Sequence, residues 1–366
     1  MSAASATSRK DPLIRISKRA EISRGKAWTI RGVALVLSLV VCGLIIFAIV
    51  KLNPVKVYQA MFEGAFGTSR RGWVTIRDTM MLLCIGIGLA PAFKMKFWNI
   101  GAEGQILVGG IATAACMIYG KAIPPPALFA LMIVVSLIAG AVWGIGPAVF
   151  KARWGTNETL FTLMMNYIAI QLTSFFVAKW ENPFGSNSVG VINSAGKEGW
   201  FPELFGQPYM LNVLLVMTLA VGMYIYLRHS KQGYEITVVG SSVNTARYAG
   251  INVAKVTIRT MAISGAIGGL AGFLAVSGAS HTISTSTAGG RGFTAIIVAW
   301  LAKFNTFVMI LISLLLVFLE KGAIEIASRY QLNDYAAKMI TGIILFFILG
   351  SEFFINYQVH FRGQKK

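Results

Sequence analysis

The chain has 366 residues, of which 55% are hydrophobic and only 13% charged, and a formal net charge of +19. A water-soluble core cannot hide that much apolar surface, so a soluble domain is excluded and the chain belongs in a bilayer. The surplus Lys and Arg sit in short segments beside apolar runs rather than on a soluble face, which speaks for anionic lipid headgroups and against nucleic acid as the partner of that charge.

A basic arm over residues 1–31 opens the chain, with eight Lys and Arg between Arg9 and Arg31. The hydrocarbon core of a bilayer, about 30 Å thick, asks for roughly 20 apolar residues per helix. Runs of this kind cover 32–50, 79–93, 99–119, 127–150, 159–178, 211–227, 256–276, 304–322 and 335–354. A further run at 293–302 is too short to cross alone and reads as a half-helix or a tilted crossing. The first run follows a basic arm but is long and has no small-residue cleavage site behind it, so it reads as a retained anchor.

The expected fold is therefore all-α: a polytopic membrane helix bundle of about ten crossings over 32–356, including the short or broken one, followed by a tail at 357–366 with Arg362, Lys365 and Lys366. An even number of crossings puts both ends on one side, and the excess of basic residues makes that side cytoplasmic.

Two polar connections are longer than a tight turn. Residues 179–207 fall outside on this parity, and their Pro, Gly, Asn and aromatic content predicts an ordered surface loop. Residues 228–255 fall inside and form the longest cytoplasmic connection, the natural docking surface for a soluble partner. No phosphate-binding loop is present, because the Gly-Lys pairs at 25–26, 120–121 and 196–197 are followed by Ala27, Ala122 and Glu198 rather than Ser or Thr. Cys42, Cys84 and Cys116 lack CxxC spacing, and His229, His281 and His360 are scattered. No catalytic residue, metal site or cofactor of the chain's own is expected.

Glycines recur at GxxxG spacing at 140 and 144, 265 and 269, and 268 and 272, which predicts closely packed helix backbones rather than a specific dimer. Polar side chains inside apolar runs face a bundle interior or a water-filled route. In "FKMKFWNIGAEGQILVGG" Asn99 reads as a helix cap and Glu103 as a carboxylate in or near the first turn, with Lys94 and Lys96 as counter-charges. In "RWGTNETLFTLMMNYIAIQL" Asn157, Glu158, Thr162 and Asn166 form one polar stripe. It serves either interhelical hydrogen bonds or the lining of a route. "SGASHTISTSTAGGRGF" carries small hydroxyls, Ser284 and Ser286 among them, and reads either as a broken segment lining an outer vestibule or as an ordinary external loop. "NTARYAGIN" allows a short helix stopped by Gly250.

Taken together, "FWNIGAEGQ", "NETLFTLMMNYIA", "VVGSSVNTARYAGINVAK" and "GRGFTAIIVAWLAKFN", in this order, resemble the inner-membrane permease subunits of bacterial ABC importers for simple sugars and nucleosides. The resemblance runs from about 75 to 350. "NIGAEGQ", with Gln105, is more similar to the nucleoside-type members. It implies a subunit without a nucleotide site of its own that pairs with a second, non-identical permease. An extracytoplasmic substrate-binding lipoprotein would deliver solute to the outer loops. A cytoplasmic ABC ATPase, using ATP and Mg, would move a coupling helix mapped onto 242–250 through Gly240, Asn244, Ala246, Arg247, Tyr248 and Gly250. Related chains often carry a second Ala and an acidic residue where this one has Thr245 and Val243, which leaves the side-chain contacts to the ATPase open. Asn99, Glu103, Gln105, Asn157, Glu158, Thr162, Asn166, Ser284 and Ser286 are the candidates for pathway and gate. Nucleosides are the implied solute, with ribose, galactose or riboflavin as alternatives. An ion-coupled secondary transporter is the rival machine, and it would call for inverted repeats and acids at midplane depth. A membrane enzyme would need paired Asp or HExxH, and the chain has neither.

Overall fold

The computed structural model describes residues 14–19, 23–50, 53–331 and 334–361. Arg9, Arg362, Lys365 and Lys366 of the expected arm and tail lie outside the described residues. Helix dominates: α1 Arg24–Val50, α2 Pro54–Phe66, α3 Ser69–Lys94, α4 Ala102–Tyr119, α5 Pro125–Trp154, α6 Glu158–Lys179 and α7 Met210–His229 come first. Then follow α8 Lys231–Ser241, α9 Val243–Tyr248, α10 Val253–Ala275 with a π-helical turn Val276–Ser280, α11 Arg291–Leu301, α12 Thr306–Arg329 and α13 Asp334–Asn356. A strand β1, Ile14–Lys18, pairs antiparallel with β2, Tyr357–Phe361.

Among the described residues seven helices are long and apolar enough to cross a membrane: α3, α4, α5, α6, α7, α10 with its π turn, and α12. The expected runs at 32–50 and 335–354 fall on α1 and α13, and the short run on the eleven-residue α11. Two elements depart most from expectation. Helix α3 starts at Ser69 rather than 79, because Thr68 caps it by accepting from the Arg71 amide. The charged Arg70, Arg71, Arg77 and Asp78 hid those turns from a search for apolar runs. Helix α2, with Lys56 and Glu63 among its apolar residues, was missed for the same reason; Pro54 suits its first position because a missing amide costs nothing there.

The chain divides into two compact units, residues 1–65 with 319–366, and residues 66–318. In the first, α1 packs along α13, and β1 meets β2 with Ile14 opposite Phe361 and Lys18 opposite Tyr357. A side chain at Gly64 would clash with Glu325, and one at Gly322 with Met61, so α2 and the end of α12 touch through glycine.

In the second unit α10 is the axis, packed against α5, α4 and α3. Its contact with α5 is backbone to backbone: a Cβ added at Gly140 would lie 2.2 Å from the Gly265 carbonyl oxygen, and one at Gly269 2.1 Å from that of Ser136. On its other side, a Cβ at Gly109 would lie 2.3 Å from the Gly269 oxygen and one at Gly272 2.2 Å from that of Ile106. The GxxxG spacings thus bring helices together within one chain, where lipid supplies no hydrophobic drive and van der Waals fit decides. The buried hydroxyls of Thr113 and Thr173 donate to the carbonyls of Gly109 and Ala169 on their own helices and so leave no orphan donor.

Candidate functional site

Helix α3 ends at Lys94, and Lys96 at φ 61 reverses the chain. The segment 97–101 then re-enters the bundle as irregular backbone, with Phe97, Asn99 and Gly101 buried. Irregular backbone inside a membrane protein must find its hydrogen bonds in neighbouring protein. Helices α6 and α10 provide them. Asn166 accepts from the Gly104 amide at 2.8 Å and donates to the Ile100 carbonyl at 2.9 Å. Thr162 Oγ1 accepts from the Ile100 amide at 3.2 Å, and Asn99 Nδ2 donates to Ser264 Oγ at 3.1 Å. Gln105 Nε2 donates to Asn99 Oδ1 at 3.4 Å. Asn99 is not the helix cap: Gly101 holds that position, and Asn99 Oδ1 accepts from the Gly101 amide at 3.0 Å. At the start of α6, Asn157 caps the helix through the amides of Thr159 and Leu160, while Glu158 pairs with Lys151 at 2.8 Å.

Glu103 lies in the first turn of α4, only 8% exposed, yet its carboxylate serves another helix. Oε1 accepts from the Gly292 amide at 2.8 Å, with the amides of Gly290 and Phe293 and the Arg291 guanidinium also facing the carboxylate. A helix that begins inside the bundle presents free amides, and a carboxylate there stabilises it by about 0.3–1 kcal/mol, or about 2 kcal/mol when partly buried. Lys94 and Lys96 are not the expected counter-charges; Lys94 Nζ donates instead to the Leu227 carbonyl at the end of α7. The sequence pattern set 99–103 and 277–293 at opposite ends of the bundle, and the structure joins them because both connections are broken.

The break before α11 begins with the π turn after α10, the kind of local widening that recurs at functional sites. His281 follows at φ 52, and Gly289 and Gly290 at φ 59 and 78 turn the chain into α11. Ser284 and Ser286 approach at 3.0 Å, and the Ser284 amide donates to Thr287 Oγ1 at 2.9 Å. Beside them opens a cavity of about 300 Å³. Ser280, Thr282, Ser284, Ser286 and Thr287 line it together with Arg77, Asp78 and Arg291. Asp78 is 2% exposed. Arg77 donates to its Oδ1 from Nε and Nη2, both at 2.9 Å, and Arg291 Nη2 stands 3.7 Å from Oδ2. A larger groove of about 620 Å³ between α7 and α10 is lined mostly by Leu, Ile, Ala and Met, with Thr218 and Tyr226 as its polar side chains, and offers a polar solute little.

The connection 179–207 is held against this region. Asn193 Nδ2 donates to the Met117 carbonyl at 2.7 Å, the Ile192 amide donates to the His281 carbonyl at 2.8 Å, and the Trp200 ring stacks on the His281 imidazole at 3.7 Å and 4°. Burial, then the positive charge of Arg77 and, least, that of Lys197 lower the His281 pKa below its ordinary value, against an opposing backbone hydrogen bond at Ser277 that outweighs Lys197.

At the other end of α3, the connection 228–255 folds into α8 and α9. Ser242 caps α9 by accepting from the Thr245 amide at 3.2 Å, and Gly250 at φ 73 ends it. Ala246 is buried, while Tyr248 is 93% exposed. A Cβ at Gly240 would lie 2.1 Å from the Lys94 carbonyl oxygen, so α8 rests directly on the turn that starts the re-entrant segment. Glu235 of α8 pairs with Arg259 of α10 at 2.9 Å.

The structure thus joins Asn99, Gln105, Thr162 and Asn166 in one buried network, brings Glu103 to the start of α11, places Ser284 and Ser286 on the cavity, and keeps Asn157 and Glu158 at the start of α6. Arg77, Asp78 and Arg291 escaped the sequence reading. The signal was there: an Arg-Asp pair running directly into an apolar helix is costly unless used.

Residues 74–349 match the protein family described as branched-chain amino acid transport system, permease component. The chain belongs to that permease family. Among similar proteins, the guanosine ABC transporter permease protein NupP of Bacillus subtilis is 30% identical, over 87% of this chain and 92% of the relative. The glucose ABC transporter permease protein TsgB13 of Haloferax volcanii is 28% identical, over 91% and 90%. The nucleoside ABC transporter permease protein NupB of Lactococcus lactis is 26% identical, over 87% and 91%. This permease is a multi-pass helical membrane protein of the ABC importer class, and its family is that of a transport system's permease component.

Proposed function

We propose that this permease forms half of the route by which a bacterial inner-membrane ABC importer takes up nucleosides, with both of its ends in the cytoplasm. The carrying observation is the continuous structural path from α9 and α8, through the Gly240–Lys94 contact and the re-entrant segment, to Glu103 and the α11 start beside the polar cavity. A subunit that draws on a separate motor needs a stiff contact of this kind. The cytoplasmic ATPase, using ATP and Mg, docks on α9 around Arg247 and Tyr248. A second, non-identical permease completes the route, and an extracytoplasmic lipoprotein delivers solute to the 179–207 side. Asn99, Gln105, Thr162 and Asn166 act by holding the gate backbone, and Ser284 and Ser286 by meeting the solute. Nucleoside names on two of the relatives support the solute class, and the glucose relative keeps a simple sugar as the second reading.

The test is uptake into proteoliposomes holding both permeases, the ATPase and the binding protein. Labelled guanosine and uridine should accumulate with ATP, ahead of ribose, glucose and riboflavin. Accumulation driven by an ion gradient without ATP, or of hexose alone, would overturn the reading.

A further inference from the structure

We infer that the open face of α6 is the wall of the route that reads the solute's flat base, with the Gln171 side-chain amide meeting the edge of the ring and Tyr167 its face; this rests on the importer reading above. Helix α6 buries Thr162, Asn166, Ala169, Thr173 and Val177 on the side that packs against α4 and α5. Its other side is open. Tyr167 is 59% exposed, and Gln171 and Ser174, four and seven residues further on, are exposed as well. Spacings of four and three residues set the three on one stripe. Gln171 stands about 20 Å beyond Glu158 at 1.5 Å per residue, so the stripe crosses the middle of a 22-residue span rather than its ends. Among the described residues none of the three side chains has a hydrogen-bond partner.

Lipid tails satisfy neither an amide nor a hydroxyl, and polar side chains at this depth face protein or water. Helix contacts in a membrane favour small residues that let backbones approach. This face carries Met164, Ile168 and Phe175 around the stripe instead, all more than half exposed, which speaks for a wetted wall over a subunit contact. Beside its first half lies a groove of about 470 Å³, within the size range of ligand pockets, that Met164 and Ile168 help to line. The chemistry narrows the class. A Gln amide sets an acceptor beside two donors, the pattern that matches the edge of a nucleobase. The Tyr167 ring, one turn away, offers a face on which a flat base stacks. No charged residue lies between Glu158 and Lys179, so a neutral solute is suited and a phosphate finds no counter-charge. Tyr167 also follows directly on Asn166, so a base seated there lies one residue from the tether of the re-entrant segment.

The experiment uses the complete importer in proteoliposomes and two readouts. In the first, Gln171→Cys meets a membrane-impermeant methanethiosulfonate and is compared with the parent, whose Cys42 and Cys84 are buried and whose Cys116 is partly so. Access governs thiol reactivity, so the variant should react about tenfold faster or more, and guanosine delivered by the binding protein should slow it. In the second, initial uptake of guanosine and of purine riboside, which lacks the exocyclic groups of the base, is measured at saturating binding protein. Gln171→Leu should cut the ratio of guanosine to purine riboside uptake by about fivefold, the worth of one lost hydrogen bond. Tyr167→Leu should slow both solutes by about fivefold or more, and Tyr167→Phe, which keeps the ring, should recover most of that loss. A Gln171→Cys thiol no more reactive than the parent's overturns the wall. Loss of the second permease on purification of Gln171→Leu would assign the stripe to the subunit contact and overturn it too. A reactive thiol with an unmoved ratio, and with Tyr167→Leu matching the parent, sinks the base contact. Absence of ATP-driven uptake of any nucleoside by the parent sinks the importer reading itself, whereas robust uptake beside an unreactive Gln171→Cys sinks only the site.

Discussion

Glu103 and Gly292 are 189 residues apart in the chain and meet at 2.8 Å, carboxylate to amide. The bond fixes the first turn of α11 to the first turn of α4. Glu103→Ala should remove both charge and acceptor and lower stability by about 1–3 kcal/mol, whereas Glu103→Gln keeps an acceptor and should lose about 0.3–1 kcal/mol. Thermal unfolding of the detergent-solubilised protein, followed by size-exclusion fluorescence, separates the two. Equal losses would show that helix capping is not what the carboxylate does.

Asn166 ties the re-entrant segment to α6 by two hydrogen bonds. Asn166→Leu leaves the Gly104 amide and the Ile100 carbonyl without their partner and should cost about 1–3 kcal/mol for each buried group. Asn166→Asp keeps the acceptor for Gly104 and should recover part of that loss. Unfolding measurements on both variants check this. A variant with normal stability and abolished uptake would instead make Asn166 a solute contact.

Tyr248 projects from α9 with nearly its whole surface in solvent, and Arg247 beside it is exposed. Replacing both by Ala removes nothing from the permease's own packing. Insertion and melting should stay unchanged, while affinity for the ATPase falls by about tenfold or more. Co-purification and ATPase stimulation read the outcome, and full retention of both would move the docking surface elsewhere.

His281 takes up a proton less readily in the folded protein than free imidazole does, because burial and then Arg77 and Lys197 oppose its charge. The sign follows: packing of the 179–207 connection keeps its full stability above the ordinary histidine pKa of 6.5 and loses it as pH falls through the lower folded value. Protection factors against hydrogen exchange across 180–207, which correct for the intrinsic pH dependence of exchange, should therefore fall as pH drops below about 6.5. His281→Asn, which tolerates the left-handed backbone at φ 52, should flatten that dependence. An unchanged pH profile in this variant would remove histidine from the account.

The long crossings were legible because apolar length alone signals them. The start of α3 and all of α2 were not, since Arg70, Arg71, Arg77 and Asp78, and then Lys56 and Glu63, break the apolar run without breaking the helix. GxxxG spacing at 140, 144, 265 and 269 told of close packing, but a single sequence could not say that the two motifs face each other. Glu103 stood out as a costly charge at a helix start; its partner lay out of reach, because no local rule links positions 103 and 292. Asp78 was overlooked because it stood just outside the apolar run expected to begin at 79.

The pairing of β1 with β2 sets Ile14 opposite Phe361, so the first and last described residues of the chain lie side by side. A short peptide could splice these two positions into a closed ring. New termini could then be opened in the surface loops, which makes the polypeptide amenable to circular permutation and lets a donor and an acceptor dye placed on β1 and β2 report one fixed, short separation.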